Sequence, residues 1–293
     1  KAGGIGVIHR NLSISDQLLE IKKVQKKGLV VGAAVGTNDT ELSRAEKIIK
    51  CKVDLIVVDT AHGHTKRVAN IIKFIKKKKS NKTTLCAGNI ATAEAAKFLC
   101  KLGVDIVKVG IGPGSICTTR LVAGIGVPQL SAILAAKKGL GKKKITLVAD
   151  GGIKFSGDIS KALAAGADAV MIGSLFAGTN ESPGKLIKKN GKYFKIFRGM
   201  GSIGAMSKGS ADRYFQKKQK DPSKYVPEGV EGLVKYKGAV EKIIYQLIGG
   251  LKSSMGYLGS KNIKDLRNKP RFVKITKAGF YESMVHNIDQ VLK

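Results

Sequence analysis

The chain has 293 residues, 43% of them hydrophobic and 5% aromatic, with 36 glycines and no tryptophan, which suits a water-soluble α/β protein of one large domain or two ordinary ones. No apolar run reaches the ~18 residues of a membrane span, and no secretory signal is expected. The net charge of +32 predicts a positive field that attracts polyanions and phosphorylated metabolites, but it comes from lysine runs such as Lys76–Lys79 and Lys142–Lys144, where solvated helix ends and turns are expected.

Short apolar runs alternate with helical patterns from the start, the signature of parallel βα units. The first predicted strand, Gly4–Ile8, lies so near Lys1 that one further strand is expected upstream of it. A lysine-rich amphipathic stretch, Gln17–Gly28, then runs straight into the second strand, Leu29–Val35, a junction abrupt enough to suit a removed insertion. The third strand, Leu55–Asp59, opens into Asp59-Thr-Ala-His-Gly-His64. One carboxylate and two imidazoles suggest a metal, yet His62 and His64 straddle a glycine with no third strong ligand nearby, so polar contacts to a substrate are the better reading. Thr84–Gly88, followed by Asn89, is the fourth strand and Ile106–Gly110 the fifth.

The fifth strand runs into Gly110-Ile-Gly-Pro-Gly-Ser-Ile-Cys-Thr-Thr-Arg120. Glycines at alternate positions let backbone groups approach a ligand or cation closely. Cys51, Cys86 and Cys100 fall in strand or helix patterns and read as core. Cys117 alone sits in a polar loop, as a nucleophile beside an anion cradle would. No CxxC pair occurs, so free thiols in a reducing, cytoplasmic compartment are expected. The sixth and seventh strands, Thr146–Asp150 and Ala169–Gly173, end in Asp150-Gly-Gly152 and Gly173-Ser174, where barrels commonly hold phosphate on backbone amides. Asp150 suits ribose hydroxyls or the cap of the next helix. Seven strands and the expected upstream one make an eightfold barrel, whose functional residues gather at the carboxyl ends of the strands.

From about Tyr193 the pattern changes to a β-like ribbon, a polar stretch Ser207–Pro227 that reads as a mobile flap, and a helix over Ala239–Ile248. Gly199-Met-Gly-Ser-Ile-Gly204 matches a dinucleotide fingerprint but lacks its βαβ setting. On composition alone Asp212-Arg-Tyr-Phe215 is a solvated charge pair and Pro227-Glu-Gly-Val-Glu-Gly232 a turn.

These segments resemble the IMP dehydrogenases over nearly the whole chain. The likeness rests on Gly3–Asn11, Asp59–His64, Gly110–Arg120, Ala149–Ile153, Met171–Ser174, Arg198–Ser202, Asp212–Phe215, Glu228–Gly232 and Glu282–His286. It implies a single catalytic TIM (β/α)8 barrel over residues 1–293 with a flap at about 193–235, oxidising inosine 5′-monophosphate (IMP) to xanthosine 5′-monophosphate (XMP) with NAD, the first committed step of guanine nucleotide synthesis. The resemblance implies that Cys117 adds to C2 of the purine as hydride leaves. A thioimidate remains, which water hydrolyses beside Arg213 and Tyr214, and Thr119 stands by the cysteine. By the same resemblance Asp150 holds the ribose, and Ser115, Gly152, Gly173 and Ser174 the phosphate. Gly199, Met200, Gly201 and Glu228 read the purine. Asp59, Thr60, His62, Asn89, Gly110 and Gly112 face the dinucleotide. Carbonyls of Gly112, Gly114 and Cys117, with those of Glu282, Ser283 and Met284 from a neighbouring subunit, match a potassium site, which implies a homotetramer.

Two departures stand out beside the missing strand. Phe197 replaces a tyrosine whose hydroxyl the family gives to the phosphate. The regulatory pair of cystathionine-β-synthase-type modules, normally inserted near Lys22–Gly28, is absent, so purine-nucleotide regulation through it is not expected. The rivals are a GMP reductase, a nucleic-acid binder and a catalytically dead nucleotide-binding barrel. The first uses NADPH and needs no Arg213-Tyr214 pair. The second rests on charge alone, without interleaved aromatics for base stacking. Intact Cys117, Thr119 and Arg213 argue against the third.

Overall fold

In the computed structural model, which describes residues 2–287, seven parallel strands pair in chain order. They are β1 (Gly6–Ile8), β2 (Val31–Val35), β3 (Leu55–Asp59), β4 (Thr84–Ile90), β5 (Ile106–Val109), β6 (Thr146–Asp150) and β7 (Ala169–Met171). Helices α1 (Ile14–Gln25), α2 (Asp39–Lys50), α3 (Lys66–Lys78), α4 (Ala93–Lys101), α6 (Gln129–Leu140) and α7 (Ser156–Ala164) return the chain, and a short α5 (Thr119–Val122) lies in the loop after β5. All seven expected strands are present, with ends moved by one or two residues. The result is a TIM-barrel-like α/β sheet with β1 and β7 as its edges.

A period of two divides each strand between two environments. Ile56 and Val58 of β3 face outward into the core shared with the helices, while Leu55 and Val57 face inward with Cys86, against Val7 and Ile106. The same alternation turns Asp59, Lys108 and Asp150 into the barrel at its carboxyl end. At the opposite end Asp54, Asp105 and Asp168 each precede a strand and accept the N–H of Val31, Leu85 and Leu147 on the strand before it, at 2.9, 2.8 and 2.8 Å. Ser13, Asn38, Thr65 and Thr92 cap α1 to α4 through side-chain oxygens. Lysines crowd the last turns of α1, α2, α3 and α6, where they complement the helix dipole on the face away from the strands' carboxyl ends.

After β7 the chain forms an antiparallel ribbon of β8 (Ile187–Lys189), β9 (Lys192–Arg198) and β10 (Glu231–Lys235), in the order β10-β9-β8. The ribbon therefore starts before Tyr193, and residues 193–198 and 231–235 are its strands rather than flap. The excursion between β9 and β10 holds a short α8 (Ile203–Ala205), a π turn (Met206–Ser210) and two 3-10 turns (Ala211–Tyr214 and Pro222–Lys224). It folds around buried Met206, Ala211 and Tyr225, with Tyr214 packed on them. The helix expected over Ala239–Ile248 continues as α9 (Val240–Tyr257) through Gly249-Gly250, because Gly250 presses against α7: a Cβ there would lie 2.1 Å from Ser156 Oγ. Two short helices, α10 (Ile263–Asn268) and α11 (Lys277–Glu282), follow. Among the described residues no helix is long and apolar enough to cross a membrane.

Candidate active site

At the carboxyl end of the barrel the inward side chains of β3, β4, β5 and β6 meet around one lysine. Lys108 is 2% exposed and donates from Nζ to Asp59 Oδ1 at 3.0 Å, to Asp150 Oδ2 at 2.7 Å and to Asn89 Oδ1. Asn89 Nδ2 closes the ring on Asp150 Oδ2 at 2.8 Å and on the Gly110 carbonyl at 2.7 Å. Burial disfavours the ammonium, but the two aspartates outweigh it and hold Lys108 above its ordinary pKa. Burial likewise opposes the Asp59 carboxylate, yet Arg213 and Lys108 hold it far below the usual carboxylate range. Asp150 is thus part of this network and not a helix cap, since α7 is capped by Asp158 bonding back to Phe155.

The loop after β5 carries Cys117. Its Sγ donates to Thr119 Oγ1 at 3.2 Å, and buried Thr119 begins α5. Residue 117 forms an antiparallel bridge with Gly229, and Thr118 N donates to the Glu228 carbonyl at 2.9 Å. The segment Glu228–Gly232, expected as a turn, therefore lies along the cysteine loop and enters β10. A cavity of about 220 Å³ opens here, lined by Ile116, Cys117, Phe197, Arg198, Gly199, Met200, Gly201, Tyr214, Glu228 and Gly229. The purine-reading group expected from the sequence thus surrounds the cysteine. The Phe197 ring tip lies 3.9 Å from where a Cβ on Gly173 would stand, which joins the cavity to the Gly173-Ser174 turn. Ser115 is exposed, and Gly151 and Gly152 turn with φ of +87° and +81°.

Asp212 and Arg213 are not the solvated pair that composition suggested. Arg213 Nη1 donates to Asp59 Oδ2, and Asp212 receives Arg10 from the end of β1. The partnership with Asp59 overcomes burial and holds Arg213 firmly protonated, while burial raises the Tyr214 phenol above its ordinary value. The excursion therefore sits on the barrel mouth and divides it. Tyr214 lines the cysteine cavity, whereas Arg213 lines a second one of about 180 Å³, with Arg10, Thr37, Thr60, His62, Thr65, Lys66, Arg67, Asp212 and Phe215. Thr60 is tied down, its Oγ1 donating to the Gly88 carbonyl at 2.8 Å. His62 and His64 part: His62 faces the second cavity, and His64 packs on Phe98 with ring centres 4.4 Å apart.

Glu282, Ser283 and Met284 end α11 on the surface, and no hydrogen bond joins them to the cysteine loop among the described residues. Lys108, Arg10 and Asn38 were missed by the sequence reading. The legible sign of the first was a lysine at an inward position of an otherwise apolar strand.

The four thiols differ in the same terms. Cys86 is buried beneath the Lys108 ring, and burial pushes its thiol up to about 12, whereas Cys117 opens on its cavity. Iodoacetamide at about pH 8 is expected to label Cys117 in the native protein and spare Cys86 until unfolding, because the thiolate is the reactive form. Peptide mass mapping before and after denaturant checks this, and early labelling of Cys86 would contradict its burial.

The chain that carries this arrangement is similar to known proteins over nearly its whole length. The family model described as IMP dehydrogenase / GMP reductase domain matches residues 1–286. Inosine-5′-monophosphate dehydrogenase of Chlorobaculum parvum is 56% identical over 262 residues, covering 89% of this chain and 53% of that protein. Those of Bacillus subtilis and Staphylococcus aureus are 54% and 56% identical, again over 89% of this chain and 52% and 53% of theirs. The chain spans about half the length of these curated relatives. With the barrel, the cysteine loop and the excursion between β9 and β10 already in place, so extended a match makes the chain a member of the IMP dehydrogenase / GMP reductase family.

Proposed function

We propose that this chain is the catalytic domain of an NAD-dependent IMP dehydrogenase that converts IMP to XMP. The observation that carries the reading is the placement of consecutive flap residues: Tyr214 shares a cavity with Cys117 while Arg213 occupies the neighbouring one beside Asp59. A nucleotide in the first cavity puts its purine against Gly199, Met200, Gly201 and Glu228 and its ribose on Asp150. Its phosphate then meets Ser115, Gly152, Gly173 and Ser174. The second cavity, lined by four cations, three threonines and Asp212, suits the charge of a dinucleotide. Thr60 and His62 line it and Asp59 is reached through Arg213, whereas Asn89 and Gly110 belong to the neighbouring Lys108 network and Gly112 is not in its lining.

The Cys117 thiolate forms a C–S bond at C2 of the hypoxanthine, and the C2 hydrogen leaves with its electron pair. NAD, when bound, supplies the acceptor for that hydride. Thr119 orients the sulfur. With the second cavity free, Arg213 docks there, a step that its bond to Asp59 supports. Arg213 and Tyr214 then orient a water that adds to C2. The C–S bond breaks, XMP leaves, and one proton passes to solvent. A protonated Arg213 polarises this water and does not act as a bare base. A GMP reductase needs no such water, so the docked dyad favours the dehydrogenase.

Carbonyls of Gly112 and Cys117 take no hydrogen bond within the chain among the described residues, and a set of carbonyl oxygens suits a large monovalent cation better than a transition metal. These groups and Gly114 would hold potassium, joined by Glu282, Ser283 and Met284 of a neighbouring subunit in a homotetramer. Four free cysteines fit a cytoplasmic enzyme.

NADH formation by the purified chain with IMP and NAD tests the reading. Potassium should stimulate it relative to sodium, and Cys117→Ala should lower it by at least about 10⁴-fold, as loss of a nucleophile does. A folded chain that makes no NADH, or a Cys117→Ala variant as active as the parent, overturns the assignment. Oxidation of NADPH with guanosine monophosphate would replace it with the reductase.

A further inference from the structure

Arg213 accounts for one half of the flap's attachment; the residue before it makes the other. Asp212 Oδ1 accepts from both Nη1 and Nη2 of Arg10 at 3.1 Å, and its Oδ2 accepts from Asn38 Nδ2 at 3.1 Å. Arg10 is 5% exposed. Arg10 also lines the second cavity, whereas Asn38 belongs to none of the cysteine, nucleotide or potassium groups assigned above.

The barrel fixes the backbone on both sides of this socket by bonds of its own. Gln17 Nε2, fully buried, donates to the Ile8, His9 and Ala34 carbonyls and so fixes the ends of β1 and β2 beside Arg10. Arg44 fastens Gln17 and Glu41 together, at 2.8 and 2.9 Å, and Glu41 in turn receives the Gly36 N–H. Asn38 is fixed as the cap of α2. At Gly36 the chain must be bare, because a Cβ there would lie 2.8 Å from Arg10 Cζ.

We propose that Arg10 and Asn38 are positioning residues that fix the register and the occupancy of the docked flap through Asp212. Two adjacent flap residues of opposite charge meet two barrel groups of opposite charge, Asp212 on Arg10 and Arg213 on Asp59. A flap shifted by one residue would set either Arg213 against Arg10 or Asp212 against Asp59 and leave the other barrel charge without a partner, so the two pairs select a single register. Because Arg213 stands in the cavity assigned to the dinucleotide, the strength of the Asp212 socket sets how often that cavity is closed. The socket therefore favours hydrolysis and opposes dinucleotide binding. This inference rests on the dehydrogenase reading for its kinetic consequence, though not for its geometry.

The test is a double-mutant cycle of Asp212→Asn and Arg10→Met, read in two ways. Rapid mixing with IMP and NAD should show the first-turnover NADH burst retained in Asp212→Asn, followed by a steady rate lower by about 10- to 100-fold, the worth of hydrogen bonds to a charged group. The double variant should fall no further than the single ones, as expected for two partners in one interaction. Independently of activity, trypsin should cut the ligand-free variants faster than the parent at exposed Lys217, Lys218 and Lys220, because cleavage follows the undocked population. Gly36→Ala should reproduce both effects by displacing the Arg10 guanidinium. Additive losses, a burst that falls in step with the steady rate, or unchanged trypsin cleavage in Asp212→Asn would overturn the socket. A parent that gives no NADH at all would instead defeat the dehydrogenase reading, and the trypsin comparison would still decide the socket.

Discussion

Lys108→Met is expected to lower the melting temperature by roughly 6 to 20 °C and to abolish NADH formation. The ammonium is the common partner of Asp59, Asp150 and Asn89 and has a side chain only 3% exposed. Removing one member of a buried ionic group costs about 3–5 kcal/mol, because the charges left behind have no water to turn to, and each kcal/mol is worth about 2–4 °C in a domain of this size. Arg213 still reaches Asp59 in the variant, so the uncompensated charge falls mainly on Asp150, which Lys108 approaches to 2.7 Å.

The pH dependence separates this from a simple packing defect. In the parent, Asp59 is held below its unfolded value by Arg213 and Lys108. Its contribution is therefore complete above about pH 4, the ordinary aspartate range, and is lost as pH falls below it. In Lys108→Met the unpaired carboxylates are instead relieved by acid. The stability gap between parent and variant should narrow as pH is lowered from 7 towards about 4, and Asp150→Asn added to the variant should recover much of the loss at neutral pH. Thermal melts across that range check it. A gap that stays constant with pH, or a melting temperature within about 2 °C of the parent, would mean that the lysine does not hold the two acids in place.

Phe197→Tyr is expected to lower the KM for IMP by about 10- to 100-fold while kcat changes little. Phe197 sits on β9 opposite Gly232, and its ring tip lies 3.9 Å from the Cβ position of Gly173. A hydroxyl added at that tip extends towards the turn assigned to the phosphate. One hydrogen bond to a charged group contributes about 1.5–3 kcal/mol. The gain is made equally in ground and transition states, so it appears in KM. Inosine, which has the purine and ribose but no phosphate, provides the control. An equal gain for inosine, or none for IMP, would place the phosphate elsewhere.

How much of this was legible before the chain folded depends on how local each cause is. Seven strands announced themselves as short apolar runs between helical patterns, and their ends moved by only one or two residues, because strand periodicity and cap residues act within a few positions of one another. Cys117 was legible for the same reason, as a lone thiol in a run of glycines and hydroxyls. The extent of α9 was not, since Gly249-Gly250 reads as a stop until α7 is known to lie against it.

The partners of charged groups were the least legible part. Lys108 pairs with residues 49 and 42 positions away, and Arg213 with one 154 away. Composition therefore made a solvated pair of Asp212 and Arg213, although each turns to a different strand end. Sequence by itself determined the parallel βα order, the cysteine loop and the glycine turns, all of which follow from neighbours along the chain. Only the tertiary structure decided which acid holds which base, because Coulomb energy depends on distance and burial in space, and sequence separation sets neither.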